Sequence, residues 1–152
     1  MKHFSLVALV IVLTAAACDN SSSSTTPTSG DSVTITLTSA VETLLGGTLN
    51  PSVVMGIGIG TIVGTTCTVT AGTTQLLSAS ATPLSGTLMP GTWCLQVTNE
   101  DASATSGPVA YTVVIMATSS TTTATNSQTL SGTVPAAVNG VPQSVFNTFT
   151  AP

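Results

Sequence analysis

From Val33 the chain alternates strictly. Val33, Ile35 and Leu37 are apolar, and Thr34, Thr36 and Thr38 lie between them. A period of two places the apolar residues on one face of an extended strand and the threonines on the other, which a helical period of 3.6 cannot do. Related signals recur at residues 53–59, 66–70, 75–79, 92–98, 109–117, 129–134 and 145–150, separated by clusters of Gly, Pro, Asn and Ser. Thr and Val dominate these runs, and their β-branching suits a pleated surface. Eight short strands punctuated in this way predict an all-β fold, an antiparallel β-sandwich. The run from Val109 to Ala117 is apolar at both parities, which predicts a central strand covered on two sides. Ser39-Ala-Val-Glu42 has the spacing of a capping box, and Gly46-Gly47 follows as a stop. That segment is expected to form either one or two helical turns or a loop between strands.

The 152 residues suit one domain plus an export segment and a tether. Only 4% of them are charged, and the formal net charge is -4. Lys2 and His3 are the only basic side chains, because the chain has no Arg. Nucleic-acid binding, which needs cations against phosphates, is therefore excluded for the rest of the chain. Nucleophilic catalysis through an imidazole base is excluded as well.

The N-terminus has the order of a secretory signal. Lys2 precedes an apolar run from Phe4 to Leu13, then the small residues Ala15, Ala16 and Ala17. The run is too short to span a bilayer core of roughly 30 Å, which needs about 20 residues, so residues 1–17 are read as a cleaved signal. Ala15-Ala16-Ala17-Cys18 resembles the lipobox of bacterial lipoproteins, in which the Cys is diacylated on sulfur and becomes the new N-terminus. Ala15 departs from that pattern, where Leu is commoner. The alternative is an ordinary A-x-A signal, with Ala15 and Ala17 as its small residues, whose cleavage leaves Cys18 by coincidence. Residues 19–30 contain no large apolar side chain and read as a flexible Ser/Thr tether. Its coil spans roughly 20 Å and its taut length about 40 Å. The expected location is the bacterial cell envelope, outside the cytoplasm and held to a membrane through lipid. Asp19 resembles an inner-membrane retention signal, while the choice between inner and outer membrane stays open.

Cys67 and Cys94 remain once Cys18 is assigned to lipid. In an exported chain such a pair is expected to form a disulfide, and neither His nor C-x-x-C spacing supports a metal or redox role. Met55-Gly-Ile-Gly-Ile-Gly60 lacks the third glycine of a dinucleotide fingerprint, because Thr61 follows Gly60. It reads instead as a strand with Met55, Ile57 and Ile59 inward. Gly56, Gly58 and Gly60 then form an outward stripe that another backbone or a ligand approaches closely. Trp93, Leu95 and Val97 share one face of their strand, opposite Cys94 and Gln96, and Trp93 is expected in the core or at its rim. Asn99-Glu100-Asp101 is the one acidic cluster, a weak calcium candidate that lacks the usual loop spacing and reads otherwise as a solvated turn. A hydrolase built on Glu100 and Asp101 alone is disfavoured, since neighbours on a strand point to opposite faces. One Trp and one Tyr do not supply the two aromatic girdles of a membrane barrel.

Pro90-Gly91-Thr92-Trp93-Cys94-Leu95-Gln96-Val97, followed by Gly107-Pro-Val-Ala-Tyr111-Thr-Val-Val114, resembles the closing hairpin of bacterial pre-peptidase C-terminal (PPC-like) domains. The resemblance covers residues 31–117 and implies a small β-sandwich of jelly-roll type, generally a noncatalytic accessory module. Some members bind surfaces, polymers or calcium. The family's opening strand has no counterpart before Val33, and a similar piece stands at the other end, in Leu130-Ser-Gly-Thr-Val134 and Phe146-Asn-Thr-Phe149. Residues 31–152 are thus expected to form one sandwich whose last part, 118–152, has two possible origins. It either folds back beside residues 33–38 as a circular permutation or begins an incomplete second repeat that completes a neighbour. The expected function is a noncatalytic binding or structural module of the envelope, partnered by a membrane, a cell-wall polymer or a protein. The rival is a self-assembling or adhesive surface protein that exchanges its C-terminal strands.

Overall fold

A computed structural model describes residues 30–70, 75–79, 81–100 and 107–152. Cys18, Asp19, the signal and most of the tether lie outside the described residues, as does Asp101. Ten strands are present: β1 (Asp31–Thr43), β2 (Leu49–Asn50), β3 (Val54–Val63), β4 (Thr66–Val69), β5 (Gln75–Ser78), β6 (Leu84–Leu88), β7 (Gly91–Asn99), β8 (Val109–Thr118), β9 (Thr125–Val134) and β10 (Ser144–Ala151). All pairings are antiparallel, and they make two sheets that pack face to face as a β-sandwich. Sheet A runs β2–β1–β8–β9, with β6 beside the first part of β1. Sheet B runs β10–β7–β3–β4, with β5 beside the first part of β3.

The expected strands are all present, and β2 and β6 are additions. Both are short edge pieces, and neither carries enough alternating residues to announce itself. Between the sheets lie Val33, Ile35 and Leu37 of β1, Met55, Ile57 and Ile59 of β3, Leu95 and Val97 of β7, and Val113 and Ile115 of β8. Each set sits two residues apart, the side-chain period of a strand. Trp93 is partly buried against this core, and its indole N–H donates to the Met89 carbonyl at 2.9 Å.

The capping-box segment is not helical. β1 continues through Ser39–Glu42 to Thr43, and its register with β8 slips between Leu37 and Ser39, leaving Thr38 as an extra residue. The Thr38 hydroxyl donates to the Thr112 carbonyl at 3.1 Å. Such a bulge changes the phase of the strand. The buried positions run 33, 35, 37 before it and 40, 42 after it, so the bulge turns Glu42 toward the interior.

β8 is not the strand covered on two sides that its apolar run predicts. β8 is central in its sheet, between β1 and β9, but among the described residues only one of its faces is covered. Val109, Tyr111, Val113, Ile115 and Ala117 are buried, whereas Met116 on the other face is 48% exposed. The continuous apolar run reflects an outer face that keeps Val114 and Met116 among threonines, with no third layer above it among the described residues.

Residues 125–151 fold onto their own chain. β9 pairs with β8 and β10 pairs with β7, so β8 stands between β9 and the strand at residues 33–38. The C-terminal segment therefore extends both sheets and does not lie directly beside β1. Tyr111 joins the layers: it is buried opposite Gly132 in the β8–β9 register, and its hydroxyl accepts a hydrogen bond from the Asn147 amide of β10.

Candidate functional site

The registers place Asp31, Gly91, Thr118 and Ala151 at one end of the sandwich, where β1 begins. Glu42, Asn50, Asn99, Gly107 and Val109 lie at the opposite end. This far end carries most of the polar chemistry among the described residues, and three chain segments build it. The end of β1 supplies Glu42, β2 supplies Asn50, and the passage from β7 into β8 supplies Asn99, Glu100 and Gly107.

Glu42 is fully buried, and its carboxylate accepts hydrogen bonds from the Gly107 main-chain N–H at 2.9 Å and from the Asn50 amide at 3.2 Å. A buried carboxylate requires such donors, because losing water without replacement costs several kcal/mol. Gly107 fits there because it has no side chain: a Cβ would overlap the Thr43 carbonyl. Asn99 is buried as well. Its main-chain N–H donates to the Gln143 carbonyl at 3.0 Å, and its side-chain amide meets the Gly107 carbonyl at 3.4 Å. Glu42 and Asn99 thus hold the start of β8 from two sides and fix the geometry of the end.

The three residues of the calcium candidate do not form one described set. Asn99 faces the interior, Glu100 is exposed and lays its carboxylate over Gly56 on the outer face of β3, and Asp101 lies outside the described residues. Adjacent strand positions point to opposite faces, which separates Asn99 from Glu100. Among the described residues no three His, Cys, Asp or Glu side chains come together. Beside Glu100 is a shallow cleft of about 240 Å³ lined by Asn50, Ser52, Val53, Val54 and Glu100. One carboxylate, one amide and one hydroxyl over a valine floor can orient a small polar group by hydrogen bonds, but they supply no acid–base pair.

The glycine stripe of β3 is filled by the chain itself at Gly56 and Gly60. Gly56, Gly58 and Gly60 are all buried. Glu100 covers Gly56, and the Thr68 carbonyl of β4 occupies the space a Cβ on Gly60 would need. The close approach expected from the sequence occurs, and its occupants are a carboxylate side chain and a backbone. Above the same face Cys67 of β4 is bonded to Cys94 of β7, with Cα atoms 5.9 Å apart and a sequence separation of 27. Since β3 pairs with both β4 and β7, the disulfide ties the split edge of sheet B to its centre.

Sequence reasoning missed Glu42 as a member of the far end, because the bulge that turns it inward has no sequence signature beyond the run Thr38-Ser39. Asp31 was missed as well. It is buried where β1 begins; its Oδ1 accepts the Ser120 N–H at 3.0 Å, and its Oδ2 has no hydrogen-bond partner among the described residues. The signal that could have found it is its phase, since Asp31 lies on the same face of the alternation as Val33, Ile35 and Leu37. Compared with protein-family models, with curated proteins and with solved structures, the chain matches none.

Proposed function

We propose that this chain is a noncatalytic β-sandwich module of the bacterial cell envelope, held to a membrane by lipid on Cys18 and serving in binding or structural support. The observation that carries the reading is where its ionisable groups sit. Asp31 and Glu42 are buried against main-chain N–H donors, Tyr111 lies between the sheets, and Cys67 and Cys94 are bonded to each other. Glu100 is the one exposed acidic side chain among the described residues. General acid–base or nucleophilic catalysis needs a titratable group within reach of a substrate, with a partner to tune it. A lone exposed carboxylate beside a shallow cleft supplies neither partner nor enclosure.

The signal-like start, the lipobox resemblance at Cys18 and the Ser/Thr tether support the anchored location. The PPC-like resemblance at Pro90–Val97 and Gly107–Val114 supports the accessory role. In this arrangement the tether reaches the sandwich at Asp31, and the end holding Glu42, Asn99 and Glu100 faces away from the membrane. The test is incorporation of radiolabelled palmitate into the exported chain. Label is expected in the parent and absent from Cys18→Ser, and an unlabelled parent would overturn the anchor. Broad hydrolase screening of the same material is expected to stay at blank, and activity lost with Glu100→Gln would overturn the noncatalytic reading.

A further inference from the structure

The two sheets have four lateral edges, and three of them are blunted. The β2/β6 edge of sheet A is broken into pieces of two and five residues, and the β4/β5 edge of sheet B into two pieces of four, one of them held by the disulfide. The edge of β10 is clipped by a side chain: the Gln128 amide donates to the Thr150 carbonyl at 2.7 Å and accepts from the Thr150 N–H at 3.3 Å, as a neighbouring strand would. The fourth edge, β9, has none of these protections. It is ten residues long and pairs with β8 without a register shift, and it contains no Pro and no charged residue. Among the described residues its main chain is bonded only on the β8 side. A long, regular, uncharged edge is a template for another strand.

The side chains of β9 indicate which strand. Thr125, Ser127, Thr129, Ser131 and Thr133 are exposed on its outer face, and this series reads the same in both directions about Thr129. We propose that β9 pairs antiparallel with β9 of a second copy of this chain, with Thr129 on the two-fold axis, so that sheet A continues from one molecule into the next. That register sets Ser127 opposite Ser131 and Thr125 opposite Thr133, so every outer pair joins hydroxyl to hydroxyl, a favourable cross-strand match. A two-fold contact requires a patch complementary to itself, which the palindromic outer series provides. No like charges meet across the junction, whereas a typical Lys-guarded edge would repel its own copy. The pairing differs from strand exchange, because each sandwich keeps its own β9 and β10, and it is independent of lipid on Cys18.

The test is sedimentation velocity on the exported full chain carrying Cys18→Ser, across a concentration series, with hydrogen exchange read in parallel. The expected result is a monomer–dimer equilibrium in which β9 amides gain protection with concentration while β6 amides do not. Thr129→Lys sets two lysines face to face on the axis and is expected to abolish the dimer, as is Thr129→Glu. Mixing the two variants is expected to restore it. Thr87→Lys adds the same charge to the blunted β6 edge and is expected to leave the dimer intact. Unchanged far-ultraviolet circular dichroism and an intact disulfide establish that each variant folds. A monomer at every concentration would overturn the proposal, as would a dimer that survives Thr129→Lys, or a β9 edge protected by a foreign polypeptide.

Discussion

The outer faces of the two sheets are treated in opposite ways. On sheet B, β3 presents glycines outward, and the chain closes over them: Glu100 lies on Gly56, β4 crosses at Gly60, and the Cys67–Cys94 bond holds the cover in place. On sheet A the outward positions are mainly Thr and Ser, with Val114 and Met116 among them, and nothing among the described residues covers them. A face without Cβ atoms leaves room at van der Waals distance that only chain or ligand can fill. A β-branched hydroxyl face fills that room with its own side chains and satisfies its polar atoms with water. Sheet B is thereby committed to internal packing, and among the described residues sheet A keeps an open face and a free edge.

This contrast is tested most strongly at the disulfide. Cys67→Ser with Cys94→Ser is expected to lower unfolding stability by about 3.5 kcal/mol in the chain-entropy account of such a loop, read from the midpoint of urea denaturation. A loss below 1 kcal/mol would mean that β4 stays closed over β3 without the bond. Gly60→Val should come next, at about 2 to 3 kcal/mol, because its side chain must displace the β4 backbone. Thr36→Val, on the outer face of sheet A, is the matched control and is expected within about 0.5 kcal/mol of the parent. Equal effects at the two positions would remove the distinction between the faces.

The layer shared by both sheets has its own handle in Tyr111. Burial between the sheets raises its pKa above 10.0, and the hydrogen bond from Asn147 acts in the opposite direction more weakly. A raised folded-state pKa means that the unfolded tyrosine ionises first. Its contribution is complete below pH 10 and declines as pH rises through the folded-state value. With one Tyr in the chain, absorbance near 295 nm follows this single group. Stability is expected to fall above about pH 10, and Tyr111→Phe should flatten that fall. The smallest effect is expected for Met116→Thr, within about 0.5 kcal/mol by thermal midpoint. A large loss there would show that the open face of sheet A is covered after all.

The strands that alternate cleanly were legible because one buried face and one wet face impose a period of two on residue choice. The apolar run of β8 obscured that pattern. Its outer Val114 and Met116 are tolerated at the surface, and hydrophobicity alone does not distinguish tolerated exposure from burial. β2 and β6 were invisible because pieces so short take their conformation from β1, against which they pair. At the far end, Asn99 and Glu100 were singled out together as neighbours in sequence, and strand geometry separates them. Glu42 was read as part of a cap, yet one extra residue at Thr38 redirects it into the protein.

By itself the sequence determined the class of fold, the positions of eight strands and the pairing of Cys67 with Cys94. It also determined the lack of cationic chemistry beyond residue 3, because these properties follow from local periodicity and from residue counts. Tertiary structure alone decided what lies against what. It set β4 over Gly60, turned Glu42 toward Gly107, placed β9 and β10 on separate sheets and, among the described residues, left β9 paired on one side only. Those outcomes depend on strand register and on bulges, where one residue of slip reverses every side chain, and the energies that choose among registers come from contacts between residues far apart in the chain.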